Sequence, residues 1–180
     1  MLFFLYTFAY SKLNEDFFMK IFLTLLLFAS SFVVNAQRNE LPSVALKDID
    51  GKTVNISDLA KEESPIIINF WATWCGPCLK ELSAINDVYD QWQKETGVKL
   101  IAVSIDDAKS VRRVKPLVNG KGWNYQVLLD SNHELKRAMN VVNPPFTVVV
   151  YKGEIVYKHT GYTQGVEKEL YKKVKAVVSK

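Results

Sequence analysis

With 180 residues, an ordinary globular composition and no repeat or low-complexity tract, the chain reads as a single domain behind a leader. Its formal net charge of +4 is modest and survives removal of the leader, because Lys12 and Lys20 balance Glu15 and Asp16; this argues against nucleic-acid binding. Two cysteines and two histidines supply little material for a metal centre.

In chain order, Met19-Lys20 followed by Ile21 to Phe28 has the charged and apolar regions of a signal peptide. Val34-Asn35-Ala36 then offers small or apolar residues at a cleavage site. Residues 1–36 are expected to be a presequence cleaved after Ala36, leaving 37–180 as the mature domain in the periplasm. The apolar stretch from Ile21 to Val34 is short for a spanning helix. The competing expectation is an uncleaved anchor that tethers the protein to the membrane. Glu15 and Asp16 stand where basic residues belong, so translation is expected to start at Met19.

Pro65 to Trp71 is a continuous apolar, β-branched run suited to a strand buried on both faces. Behind it, Cys78, Leu82, Ile85, Tyr89 and Trp92 recur at three- and four-residue spacing, the stripe of an amphipathic helix that Gly97 stops. Val98 to Ile105 reads as a strand and Asp107 to about Val118 as a helix, with Asp106 and Asp107 as caps. Tyr125 to Leu129 is a further strand and His133 to about Asn140 a short helix. Phe146 to Tyr151 and Glu154 to His159 pair across Lys152-Gly153. Val166, Leu170, Val174 and Val177 stripe a terminal helix with a lysine-rich solvated face.

The only two cysteines, Cys75 and Cys78, stand two residues apart at the junction of the buried strand and the first helix. A structural staple is disfavoured, because a ring of four residues restrains the unfolded chain by only about 2 kcal/mol. A metal would need two more ligands, and His133 and His159 are not at zinc-ligand spacing from the cysteines. Unpaired N–H groups and the helix dipole favour an anion at Cys75, so its thiolate is the expected nucleophile. Cys78, one turn on and on the buried stripe, is placed to resolve the mixed disulfide. Pro77 lies in the first turn, where its missing N–H costs little.

Phe70-Trp71-Ala72-Thr73-Trp74-Cys75-Gly76-Pro77-Cys78 resembles the active site of thioredoxin-fold oxidoreductases, and the mature chain from about Leu41 onward resembles their exported TlpA/ResA-like branch. Leu46 to Val54 resembles the added N-terminal hairpin, Pro145-Phe146-Thr147 the cis-proline loop, and Gly153 to Val156 with Gly161 the closing hairpin. The resemblance implies an α/β, thioredoxin-like fold. Its central mixed β-sheet is flanked by helices, with an N-terminal β-hairpin extension and a central αβ insertion between Asp107 and Leu129. Thioredoxins proper usually carry a buried aspartate where this chain has Asn69. Glu81 matches the glutamate of ResA-like members and is either the base for Cys78 or an exposed helix glutamate. Pro144 replaces the Thr, Val or Ile of other members, and the Pro144–Pro145 bond is expected to be cis. Trp74 is expected to line the substrate surface with Gly76, Pro77, Pro144 and Pro145, whereas Trp71 belongs to the core and His159 is structural.

The activity so implied is an exported thiol-disulfide oxidoreductase that needs no cofactor or metal. It reduces disulfides of other exported client proteins, such as apocytochromes, and is recharged by an unidentified thiol electron donor, membrane-bound or exported. A disulfide oxidase or isomerase is the opposite redox direction. Beside these stand a peroxiredoxin-like peroxidase, with Thr73 near its cysteine, and a peptide-binding module with idle thiols.

Overall fold

Isoleucine three times over, then Asn69, Phe70 and Trp71, makes a strand with no solvent face: all six residues of β3 (Ile66–Trp71) are buried. In the computed structural model, which describes residues 40–179, β3 has a strand on either side. It runs parallel to β4 (Lys99–Ser104) and antiparallel to β6 (Phe146–Tyr151). The sheet has seven strands in the order β2-β1-β5-β4-β3-β6-β7, with β1 (Ala45–Asp48), β2 (Thr53–Asn55), β5 (Gln126–Leu129) and β7 (Glu154–Thr160) completing it. This is the mixed sheet of a thioredoxin-like fold, with the expected N-terminal hairpin β1–β2 and the inserted unit ending in β5. The presequence, its cleavage site and the start at Met19 lie outside the described residues.

Helix α1 (Gly76–Thr96) buries Cys78, Glu81, Leu82, Ile85, Tyr89 and Trp92, the predicted stripe plus one carboxylate. It ends at Gly97 in the left-handed conformation, φ +70°, whose N–H returns to the Gln93 carbonyl at 2.8 Å. Two aromatic groupings anchor it. Tyr89 meets Tyr125 edge-on at 6.0 Å, Tyr125 continues to Trp123 at 5.4 Å, and Trp123 reaches Trp71 at 5.2 Å. One turn further on, Trp92 stacks on Tyr171 of the last helix, α4 (Val166–Val178), at 4.8 Å and 8° between planes.

Two elements depart from the sequence reading. The helix expected from Asp107 starts later: α2 spans Val114–Lys121 and follows a 3-10 turn over Val111–Arg113. The Asp107 carboxylate accepts from the N–H groups of Lys109 and Ser110 and from the Ser110 hydroxyl, closing a separate turn first. A 3-10 helix over Ile56–Lys61, which buries Ile56 and Leu59 behind β2, has no apolar period long enough to betray it. The short helix α3 covers Glu134–Ala138, inside the predicted span.

Candidate active site

Cys75 is the N-cap of α1, with extended backbone, and its Sγ lies 3.3 Å from the Cys78 N–H, which points at it. Gly76 and Pro77 form the first helical positions, where an absent proline N–H leaves no hydrogen bond unmade. The pair is present as a disulfide, with 5.3 Å between the two Cα atoms. Cys75 retains 6% exposure, while Cys78 has none. Of the two sulfur-bearing residues, the one at the helix terminus is the one that reaches the surface.

Register carries the proline loop to the same place. Phe146 pairs with Phe70, so Pro145 falls beside the carboxyl end of β3, where the segment leading to Cys75 leaves the sheet. The Pro144–Pro145 bond is cis, as expected. The Pro145 carbonyl accepts from the Gly161 N–H at 2.8 Å, which ties this loop to the turn after β7. Trp74 is 60% exposed beside Cys75, and Trp71 is fully buried, a core residue as expected. His159 stacks on Tyr157 in β7.

Burial removes one of the two expectations for Glu81, the exposed helix glutamate. It is 1% exposed and therefore not a surface glutamate. One turn beyond Cys78, it points into the sheet at Asn69 and Thr147, directly opposed residues of β3 and β6. Asn69 Nδ2 donates to Glu81 Oε2 at 3.1 Å and to Thr147 Oγ1 at 2.8 Å, and the Thr147 hydroxyl donates to Glu81 Oε1 at 3.0 Å. These bonds favour the carboxylate, but loss of water outweighs them and raises the group to about 7. The group thus titrates in the range where a base for a thiol is useful. Asn69 Oδ1 is buried with no partner among the described residues.

Asp106 corrects the expectation of a helix cap. Fully buried, it turns away from the following turn and braces the segment before the cysteines. Its Oδ2 accepts from the Thr73 N–H at 2.8 Å and from the Ser104 hydroxyl at 2.9 Å, and its Oδ1 accepts from the Thr73 hydroxyl at 2.6 Å. Thr73 is thereby engaged away from the nucleophile. The sequence held no local sign of this, because the partners are 33 residues apart.

Three further residues gave no signal in the sequence. Thr147 lies within the proline-loop motif but means nothing by itself until the strand register sets it against Asn69. Val142, 77% exposed just ahead of the proline loop, has the highest fractional exposure of the large apolar side chains among the described residues. Tyr162, after β7, lines a cleft of about 590 Å³ with Pro77 and Lys80 on the other side of the helix terminus. Partial burial and the Glu167 and Glu81 carboxylates raise its hydroxyl above the usual range.

Residues 38–164 match the family model described as AhpC/TSA family. The thiol-disulfide oxidoreductase ResA of Bacillus thuringiensis (strain Al Hakam) is 32% identical over 123 residues, covering 68% of either chain. ResA of Bacillus subtilis (strain 168) is 31% identical over 127 residues, covering 70% of this chain and 68% of its own. The solution structure of an uncharacterized thioredoxin-like protein from Porphyromonas gingivalis superposes with a TM-score of 0.70 at 55% identity, covering 79% of this chain and 94% of that one.

Proposed function

The chain belongs to the AhpC/TSA family and, within the thioredoxin superfamily, to the ResA-like thiol-disulfide oxidoreductases; from that premise we propose that it is exported and reduces disulfides of other exported proteins. The observation that carries the reading is the asymmetry of the pair: Cys75 capping a helix with 6% exposure, and Cys78 with none, one turn above a buried carboxyl.

In the proposed cycle the Cys75 thiolate attacks one sulfur of a client disulfide. A Cys75–client bond forms, and the other client sulfur leaves as a thiolate. Glu81, as carboxylate, takes the proton of the Cys78 thiol. Cys78 then attacks Cys75 Sγ, the Cys75–Cys78 disulfide closes, and the client leaves with both thiols. Two electrons have passed from the dithiol to the client, and an exported or membrane-bound thiol donor must return two. Trp74, Gly76, Pro77, Pro144 and Pro145 surround the approach to Cys75 and are the proposed substrate contacts. Residues 37–180 form the proposed mature domain, and 1–36 the leader that exports it.

Thr73 supports this reading over a peroxidase, since its hydroxyl is given to Asp106 and not to a peroxide at Cys75. The deciding experiment is the reduction potential of Cys75–Cys78 in defined redox buffers. A value below about −230 mV, toward thioredoxin, is expected; one above about −150 mV would make the protein a disulfide donor.

A further inference from the structure

Trp74 also lines a second cleft, of about 320 Å³, beside Cys75. Its floor is Ile105 at the end of β4, and its far wall carries the side chains of Lys109 and Arg113 from the inserted segment. Both cations are exposed, and neither has a carboxylate within ion-pair distance among the described residues, whereas Lys115, two positions on, pairs with Asp50 at 2.9 Å. The one acid in the wall, Asp107, spends its carboxylate on its own turn, accepting from the Ser110 hydroxyl, the Ser110 N–H and the Lys109 N–H. His133 closes the remaining side and is fixed there, its Nε2 donating to the Ile105 carbonyl at 2.9 Å. The cleft therefore joins an exposed indole, next in sequence to Cys75, to two exposed cations that outnumber the one carboxyl in its wall, Asp107, which hydrogen bonds from Ser110, with help from Lys109, hold below the usual range.

We infer that this cleft is the client-docking surface, and that it takes an extended polypeptide with an acidic side chain close to the cysteine that Cys75 attacks. The inference rests on the disulfide exchange proposed above and adds its substrate class. An extended client rises about 3.3 Å per residue. A side chain only a few residues from the attacked sulfur thus comes over Trp74 and reaches Lys109 and Arg113. The indole supplies contact area at little entropic cost and the guanidinium a fork for a carboxylate, the pairing typical of interface anchors.

The test uses two disulfide-bridged peptides, identical except for glutamate or glutamine beside the cysteines. The parent is expected to reduce the glutamate peptide about fivefold faster in kcat/KM, as two exposed ion pairs allow, and salt should erase the difference. Lys109→Gln with Arg113→Gln should bring the ratio to about one, and Lys109→Glu with Arg113→Glu should invert it. Being a ratio, it is blind to a general loss of activity. The same peptides with serine for cysteine, titrated into the Cys75→Ser, Cys78→Ser protein, should show the same preference in Kd. Turnover without preference, or preference that persists in the glutamine variant, overturns the inference. A charge-dependent Kd without turnover upholds the docking surface and overturns the reductase reading instead.

Discussion

Glu81 sits where the helix is packed against the sheet, and its proton bears on the stability of the fold. Its folded value of about 7 lies above the ordinary 4.5, so the native protein holds a proton that the unfolded chain releases between those two values. Stability tied to that proton is complete below about pH 4.5 and is lost as pH rises through 7. At about 1.4 kcal/mol per pH unit the loss is roughly 3 kcal/mol. Urea denaturation at pH 5 and pH 8 should show it in the parent, and Glu81→Gln should remove that slope whatever its baseline stability. Both carboxyl oxygens of Asp106 accept hydrogen bonds, from Thr73 and Ser104. Asp106→Ala orphans the Thr73 N–H and two hydroxyls, and is expected to cost about 2–4 kcal/mol. It should also slow alkylation or exchange at Cys75, because the segment entering the nucleophile loses its brace. Thermal melts beside iodoacetamide trapping would separate the two effects.

At the level of elements, α1 is built from both ends. Its start is a functional N-cap, with sulfur in the place where serine or aspartate usually accepts the N3 amide. Its stop is Gly97, whose left-handed backbone any other residue but asparagine adopts at a cost. A Cβ at Gly97 would meet only the Ser64 Cβ at 3.6 Å, an ordinary contact, so Gly97→Ala measures conformational strain alone. The expected loss is about 1–2 kcal/mol, with Gly97→Asn closer to the parent, read from denaturant midpoints. The inserted segment, by contrast, begins with local side-chain turns that compete with the helix. That is why Asp107 opens a turn where periodicity alone extends a helix.

For the molecule as a whole, what could be read from the sequence was whatever repeats or sits together along the chain. The largely apolar β3, the stripe of α1, the Lys152-Gly153 hairpin and the cysteine pair each announce themselves within a short window. What stayed hidden depends on register across the sheet. Asn69 meets Thr147, and Thr73 meets Asp106, only after β6 and β4 have taken their places beside β3. Glu81 was half legible: it lies three residues past Cys78 on the buried repeat, but a carboxylate there looks like a surface residue until its donors are found. The whole fold also couples to the redox pair. A ring this short scarcely restrains the unfolded chain. The stability difference between oxidised and reduced protein therefore reports how the folded site shifts the pair's potential, at about 1.4 kcal/mol per 30 mV. For a reductase the oxidised form is the more stable, and reduction is expected to lower Tm by about 5 °C or more in calorimetry. An oxidant would show the reverse.

Trp71, Trp92 and Trp123 are buried, and Trp74 alone of the four tryptophans stands in water, covalently next to Cys75. Collisional quenchers such as iodide therefore reach that indole first. The protein thus carries an intrinsic optical probe at its reactive sulfur. Opening of the disulfide, capture of a client and its release can each be followed as a change in a single emission band, in unlabelled protein.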